Sequence, residues 1–86
     1  MDEKLKRLRR TGTILKPKFI IGKNGLTEQV IRNIRDTLKK EQLIKIKILG
    51  NVMEDKDKKA FVNDIIQKTD SKLVQFIGFT VVLSRK

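Results

Sequence analysis

The hydrophobic residues in the middle of the chain follow two different periods. Residues 43–49 place isoleucine at every second position with lysine between, and this alternation predicts a β-strand with one buried and one polar face. Ahead of this strand, apolar side chains recur at the spacing i, i+1, i+4 and i+8, which puts them on one stripe of a helix. Thr27 can cap this helix with its hydroxyl, and the stripe reaches about Lys40. Its members are Val30, Ile31, Ile34 and Leu38.

The N-terminal part predicts a helix and then a strand. Two leucines three residues apart share one face of a short basic helix over residues 2–11, and Thr11-Gly12 supplies its stop signal. An extended link follows, because the residue before Pro17 avoids the α region. A buried strand is then predicted over residues 18–21, which contain the apolar run Phe19-Ile20-Ile21.

The C-terminal part predicts one more helix and a hairpin. An amphipathic helix fits residues 55–68, and two strands, 73–77 and 80–84, are close enough around Gly78 to pair. The order α-β-α-β-α-β-β predicts an α/β fold, in which helices pack on a mixed four-stranded sheet. No repeat or linker divides the 86 residues, so we expect one compact domain over residues 1–86.

Composition narrows the possible functions. The net charge is +11, from 21 Lys and Arg against 10 Asp and Glu, which favours a polyanionic partner. Residues 1–25 hold eight of these cations and two acids, so we expect the basic residues to concentrate around Gly22. The chain has no Cys and no His, which removes thiol nucleophiles, zinc fingers and imidazole acid–base chemistry. No apolar run approaches the ~20 residues of a membrane helix, so a soluble cytoplasmic protein is expected.

The tetrapeptide Gly22-Lys23-Asn24-Gly25 is the candidate binding site. It joins a predicted strand to a predicted helix N-terminus, where unpaired N–H groups and the helix dipole favour an anion. Two glycines remove the side chains that would hold a phosphate away, while Lys23 offers a charge and Asn24 an amide. The alternative is a tight turn that needs glycine only for its backbone conformation. P-loop and Rossmann fingerprints are absent, which disfavours a mononucleotide ligand.

These same residues carry a family resemblance. The segment from Gly22 to Thr27, preceded by Leu15-Lys16-Pro17, resembles the signature of the YhbY-like, or CRM, RNA-binding domain (chloroplast RNA splicing and ribosome maturation). Residues 43–47 resemble the strand that follows the helix in this family, and residues 75–78 and 80–83 resemble its closing hairpin. The match covers nearly the whole chain. Ser84 departs from it, since family members often have an aromatic residue there.

The resemblance implies a compact α/β RNA-binding fold, similar to the C-terminal domain of translation initiation factor three. It also implies that the glycine loop contacts RNA, as in KH domains, although the KH loop joins two helices and this one joins a strand to a helix. Stand-alone bacterial members are associated with precursor large ribosomal subunits, and plant members with group II intron splicing. Ribosomal RNA during large-subunit assembly is therefore the partner that the resemblance implies.

Several basic residues outside the loop are candidates for phosphate contacts. Lys4, Lys6, Arg7, Arg9 and Arg10 form a dense N-terminal cluster, and Lys16 and Lys18 flank the strand that leads to the loop. In the long helix, Arg35 and Lys39 lack a well-oriented acidic partner. Lys45 and Lys47 are either a solvated strand face or part of a basic surface beside the loop. The predicted RNA-binding residues are Gly22, Lys23, Asn24, Gly25, Thr27, Lys4, Arg7, Arg9, Arg10, Lys16, Lys18, Arg35 and Lys39.

Aromatic residues are scarce, so recognition is expected to rest on phosphates, sugars and shape. Of the four phenylalanines, only Phe79 is a candidate for exposure, and packing is its alternative. A nuclease using Asp55, Asp57 and Asp64 is a competing function, but no acidic pair at a strand end is visible. Membrane-surface binding through the first helix is a second competing function, and binding to DNA or another structured RNA is a third. We expect a non-catalytic, monomeric RNA-binding protein that needs no metal or cofactor.

Overall fold

Helices pack on both faces of a single four-stranded sheet. The computed structural model describes residues 3–22, 25–50 and 57–86. The element order along the chain is the predicted α-β-α-β-α-β-β, which confirms the α/β fold class. The elements are α1 (Glu3–Ile14), β1 (Phe19–Ile21), α2 (Glu28–Lys40), β2 (Leu43–Ile48), α3 (Lys58–Thr69), β3 (Ser71–Ile77) and β4 (Thr80–Arg85).

The strand order across the sheet is β1-β2-β4-β3, with β1 parallel to β2 and the other two pairs antiparallel. Strands β1, β2 and β3 therefore all finish at the same end of the sheet. We call this end, defined by Gly22, Leu49 and Phe79, the loop end. The opposite end, where the Arg85 N–H donates to the Gln42 carbonyl (2.9 Å), is called the far end.

The hydrophobic core lies between the sheet and the pair α2 and α3. The isoleucines of β2 point into it and Lys47 points away, so the alternating pattern is confirmed. The helix stripe is confirmed as well, with Ile34 and Leu38 buried and Val30 half-buried. The buried cluster consists of Ile21, Ile34, Leu38, Ile44, Ile46, Ile48, Phe61, Val62, Ile65, Val81 and Leu83.

Helix α1 covers part of the other face of the sheet, and its predicted end at Thr11-Gly12 is wrong. The helix continues through a buried Gly12 to Ile14. A Cβ on Gly12 would lie only 2.9 Å from Cγ1 of Val82, so the glycine allows α1 to approach β4 closely. Arg9 ties the same helix to β3, since its Nε donates to the Val74 carbonyl (3.0 Å).

The segment between α3 and β3 also differs from the prediction. Strand β3 begins at Ser71, two residues before the expected Leu73, because Asp70 adopts a left-handed conformation (φ 51°) that ends α3 abruptly. Ser71 is buried, and its hydroxyl shares a hydrogen bond with the Thr69 hydroxyl (2.7 Å). This bond satisfies a polar side chain in the protein interior at the start of β3. The expected start of α3 at Asp55 lies outside the described residues, and α3 is described from Lys58 onward.

Candidate nucleic-acid interface

The glycine loop forms a tight turn at the loop end of the sheet. The Gly25 N–H donates to the Gly22 carbonyl (2.9 Å), and Gly25 has a φ of +69°. A Cβ on Gly25 would meet no atom within 4 Å, and one on Gly22 would make an ordinary contact of 3.5 Å with Leu49. Gly25 is thus required by its backbone conformation, and the space in front of it is open. Lys23 and Asn24 lie outside the described residues.

Helix α2 starts directly after this turn. The Thr27 hydroxyl accepts a hydrogen bond from the Val30 N–H (3.2 Å), which confirms Thr27 as the helix cap. The first turn therefore presents its N–H groups toward the loop end. Glu28 lies in the same first turn, and its exposed carboxylate repels an anion bound at the helix N-terminus.

Phe79 and Lys58 add an aromatic and a basic side chain to the loop end. Phe79 is 40% exposed, so the ring is partly accessible instead of fully packed. The Lys58 ammonium lies 4.5 Å from its ring centroid, a cation–π contact. The sequence pattern indicated only an exposed helix start for Lys58, because nothing in it shows that α3 begins beside the β3–β4 turn.

The predicted basic cluster of α1 does not surround the loop. Helix α1 runs from the far end, where Lys4 lies near Gln42 and Ser84, toward the loop end, where Thr13 lies near Ile77. A helix of this length spans about 18 Å, so Lys4 and the glycine loop lie at opposite ends of the sheet. Arg9 is held against β3, whereas Arg7 and Arg10 are exposed.

Arg35 and Lys39 also lie at the far end. Together with Asp70, Arg85 and Lys86 they border a groove of about 220 Å³. The acidic neighbour of Lys39 is Asp36, one helical turn earlier, whose carboxylate lies 3.9 Å from the Lys39 ammonium. The pair is exposed, so it contributes little to stability and can be exchanged for a phosphate.

The two lysines beside β1 differ from each other. The Lys18 ammonium pairs with the carboxylate of Glu41, and the Lys18 backbone N–H bonds to the Lys45 carbonyl (2.8 Å). Lys16 is exposed. Lys18 therefore lies toward the far end of β1, and its positive charge is paired with the carboxylate of Glu41.

Sequence reasoning missed three cations of the far end, Lys72, Arg85 and Lys86. They line one groove with Lys4, and Arg85 and Lys86 continue into the groove beside Arg35. Lys86 donates to Asp70 (2.8 Å), and this hydrogen bond, together with the charge of Lys86, lowers the pKa of the Asp70 carboxyl. No sequence pattern marks these residues, because they meet only when β3 and β4 pair.

A model of the CRS1 / YhbY (CRM) domain family matches residues 1–85. The chain belongs to this family. The resemblance carried by the Gly22–Thr27 segment is thereby confirmed, and the order and spacing of the elements agree with a match over the whole domain.

Similar proteins come from several bacteria. The "Probable RNA-binding protein YqeI" of Bacillus subtilis is 38% identical over 72 residues, 84% of this chain and 73% of the relative. The "Probable RNA-binding protein PA4753" of Pseudomonas aeruginosa is 34% identical over 85 residues, 99% of this chain and 80% of the relative. The solution structure of the hypothetical protein SAV1595 from Staphylococcus aureus shares 38% identity and a TM-score of 0.77, over 95% of this chain and 83% of that one.

Two of the three acids that suggested a nuclease have structural roles in this CRM domain. Asp57 caps α3 by accepting from the Lys59 N–H (2.9 Å), and Asp64 pairs with Lys68 (3.2 Å). Asp55 lies outside the described residues. Within residues 3–22, 25–50 and 57–86, no group of three acids, His or Cys is placed to hold a metal ion.

Ser84 cannot stack on a base. It is buried under α1, so this position offers no exposed surface to a ligand.

Among the helices in the described part of the chain, none is both long and apolar enough to cross a membrane.

Proposed function

We propose that this CRM domain is a non-catalytic RNA-binding protein that holds the RNA backbone at the loop end. The observation that carries the proposal is the turn between β1 and α2. It is closed by the Gly25–Gly22 hydrogen bond, has open space in front of Gly25, and leads directly into a capped helix N-terminus. A net charge of +11 and relatives named as RNA-binding proteins support an RNA ligand.

Each loop residue has a distinct part in this proposal. Gly22 and Gly25 let the backbone of the RNA come close to main-chain N–H groups, which are good phosphate donors. Lys23 supplies a charge, and Asn24 supplies an amide donor. Thr27 fixes the start of α2 and so keeps the loop in place.

The predicted basic residues outside the loop fall into three groups. Arg7, Arg10 and Lys16 are exposed and can bind directly. Lys18 and Lys39 would exchange their ion pairs with Glu41 and Asp36 for a phosphate. Arg9 orients α1 on the sheet through Val74, and Lys4 and Arg35 extend the basic surface to the far end.

The family resemblance favours ribosomal RNA in the precursor of the large ribosomal subunit as the partner, bound by a monomer. Crosslinking the protein to RNA in cells and sequencing the attached fragments tests this assignment. Reads concentrated in large-subunit RNA support it, and reads confined to other transcripts contradict it.

Fluorescence anisotropy with a labelled structured RNA and a DNA duplex of equal length tests RNA binding itself. We expect tighter binding to RNA at each salt concentration, and a linear fall of log K with log[salt] from the phosphate contacts. Equal affinity for both polymers would favour a general nucleic-acid-binding protein. Absence of binding to either would contradict the proposal.

A further inference from the structure

Four residues form a row across the second face of the sheet, opposite the hydrophobic core. Ile20 is paired in register with Lys47, Lys47 with Thr80, and Thr80 with Ile77. We call these four residues the open row. Adjacent strands lie about 4.8 Å apart, so the open row is about 14 Å wide.

Helix α1 leaves most of the open row uncovered, because only its last turn comes near it, where Thr13 lines a groove with Ile77 and Thr80. Gly12 lies on Val82 in the neighbouring row, and the helix ends at Ile14, which is 81% exposed. As a result Ile20 and Ile77, at the two edges of the open row, are 62% and 64% exposed. Two large aliphatic side chains on a pleated sheet thus remain in solvent at the loop end.

The open row is continuous with the glycine loop. Ile20 lies in β1 two residues before Gly22, and Ile77 immediately precedes the β3–β4 turn that carries Phe79. A ligand backbone held at Gly22 and Gly25 therefore has the open row directly beside it.

The chemistry of the open row suits one kind of ligand. It carries one aliphatic side chain at each edge with a lysine and a hydroxyl between them, and a groove of about 180 Å³ continues from it toward Lys45 beside the end of α1. None of the described residues that line this groove is acidic. A flat apolar group carried on an anionic chain fits such a surface, and an unpaired nucleobase is that group.

We propose that the open row docks unpaired bases of the RNA whose backbone the glycine loop holds. This inference rests on the proposed function and adds the class of RNA: one with a single-stranded, bulged or looped segment. Bases in a duplex hide their faces by stacking, so a fully paired RNA would gain nothing from Ile20 and Ile77.

The double variant Ile20→Thr/Ile77→Thr tests the open row, because threonine keeps the β-branched shape that strands favour. We expect about a tenfold loss of affinity for an RNA with an unpaired segment, as expected for two lost apolar contacts. Affinity for a fully paired RNA of equal length should be unchanged. Leu73→Thr is the matched control, since Leu73 is also exposed but lies beside α3 on the other face.

NMR of the isoleucine methyl groups in the wild-type protein gives a second measurement that does not depend on variants. Addition of the RNA with an unpaired segment should shift the Ile20 and Ile77 methyl signals, whereas addition of the paired RNA should not. Unchanged affinity of the folded double variant for the RNA with an unpaired segment would overturn the docking of bases on the open row. Unshifted methyl signals would overturn it as well.

The outcomes separate this inference from the proposed function. If wild-type protein binds RNA and the double variant binds it equally well, the docking of bases on the open row is contradicted and the proposed RNA-binding function is not. If wild-type protein binds no RNA, both the proposed RNA-binding function and the docking of bases on the open row are contradicted. Loss of binding to anionic vesicles in the double variant, with RNA binding unchanged, would overturn the open row in favour of a membrane surface.

Discussion

A Cβ atom built on Gly12 lies 2.9 Å from Cγ1 of Val82, so α1 rests on β4 at a distance that only glycine permits. Val82 is buried and β-branched, which gives it little freedom to move aside. Glycine inside a helix costs about 1 kcal/mol relative to alanine, so close packing must offset that cost.

Gly12→Ala should therefore lower the free energy of unfolding by about 1–2 kcal/mol, because the overpacking of a core contact exceeds the gain in helix propensity. Urea denaturation measures this. In the Val82→Ala background the same substitution should be neutral or stabilising, since the crowded methyl groups are gone. A Gly12→Ala variant more stable than wild type would contradict the close contact.

Arg7 and Arg9 lie on the same helix but should respond differently to substitution. Arg9→Gln should lower the free energy of unfolding by about 1 kcal/mol, because it removes the hydrogen bond to the Val74 carbonyl. Arg7→Gln should leave stability unchanged and reduce the salt slope of RNA binding by about one. Thermal denaturation and salt-dependent anisotropy measure the two effects, and a salt slope unaffected by Arg7→Gln would remove Arg7 from the interface.

Glu28 should weaken the binding of RNA at the loop end. Its carboxylate is exposed in the first turn of α2, next to the proposed phosphate site. Glu28→Gln should raise RNA affinity roughly twofold to fivefold, the range of charge effects at a helix terminus. Glu3→Gln makes the same change of net charge in the first turn of α1, at the far end, and is the control. If both variants raise affinity equally, the effect belongs to the overall charge and not to the loop end.

The pKa of Asp70 should depend on Lys86. The hydrogen bond from Lys86 and its charge lower this pKa below the ordinary value of 3.8, with a smaller contribution from the charge of Arg35. The pair therefore stabilises the fold above about pH 3.8, and its contribution is lost as the pH falls through the folded-state pKa. Lys86→Gln should raise the pKa toward 3.8 in an NMR titration, whereas Lys68→Gln should not. An unchanged Asp70 titration in Lys86→Gln would contradict the pairing.

The elements with strong periodicity were predictable from the sequence. Alternation fixed the faces of β2, and the stripe around Ile34 together with the Thr27 hydroxyl fixed α2, because both patterns depend only on local geometry. Gly12 was misinterpreted, since a glycine that ends a helix and one that allows close packing look alike until the opposite surface is known.

The distribution of charge was less predictable than the elements. Lys4 is 18 residues from Gly22 along the chain, yet the direction of α1 across the sheet places it at the far end. Arg35 and Lys86 meet there because α2 and β4 both finish at the far end, although 51 positions separate the two residues in the sequence. Proximity in the sequence predicted one basic surface around the loop, whereas strand pairing produces basic groups at both ends.

The central claim is that the turn at Gly25 holds an RNA backbone, and one pair of variants tests it most directly. Asparagine and aspartate both tolerate the left-handed conformation of Gly25 better than other residues, so Gly25→Asn and Gly25→Asp impose similar strain. Only aspartate adds a negative charge where a phosphate would lie. We predict that folded Gly25→Asp binds structured RNA at least about tenfold more weakly than Gly25→Asn in about 0.1 M salt. Equal affinities for the two folded variants would contradict the claim.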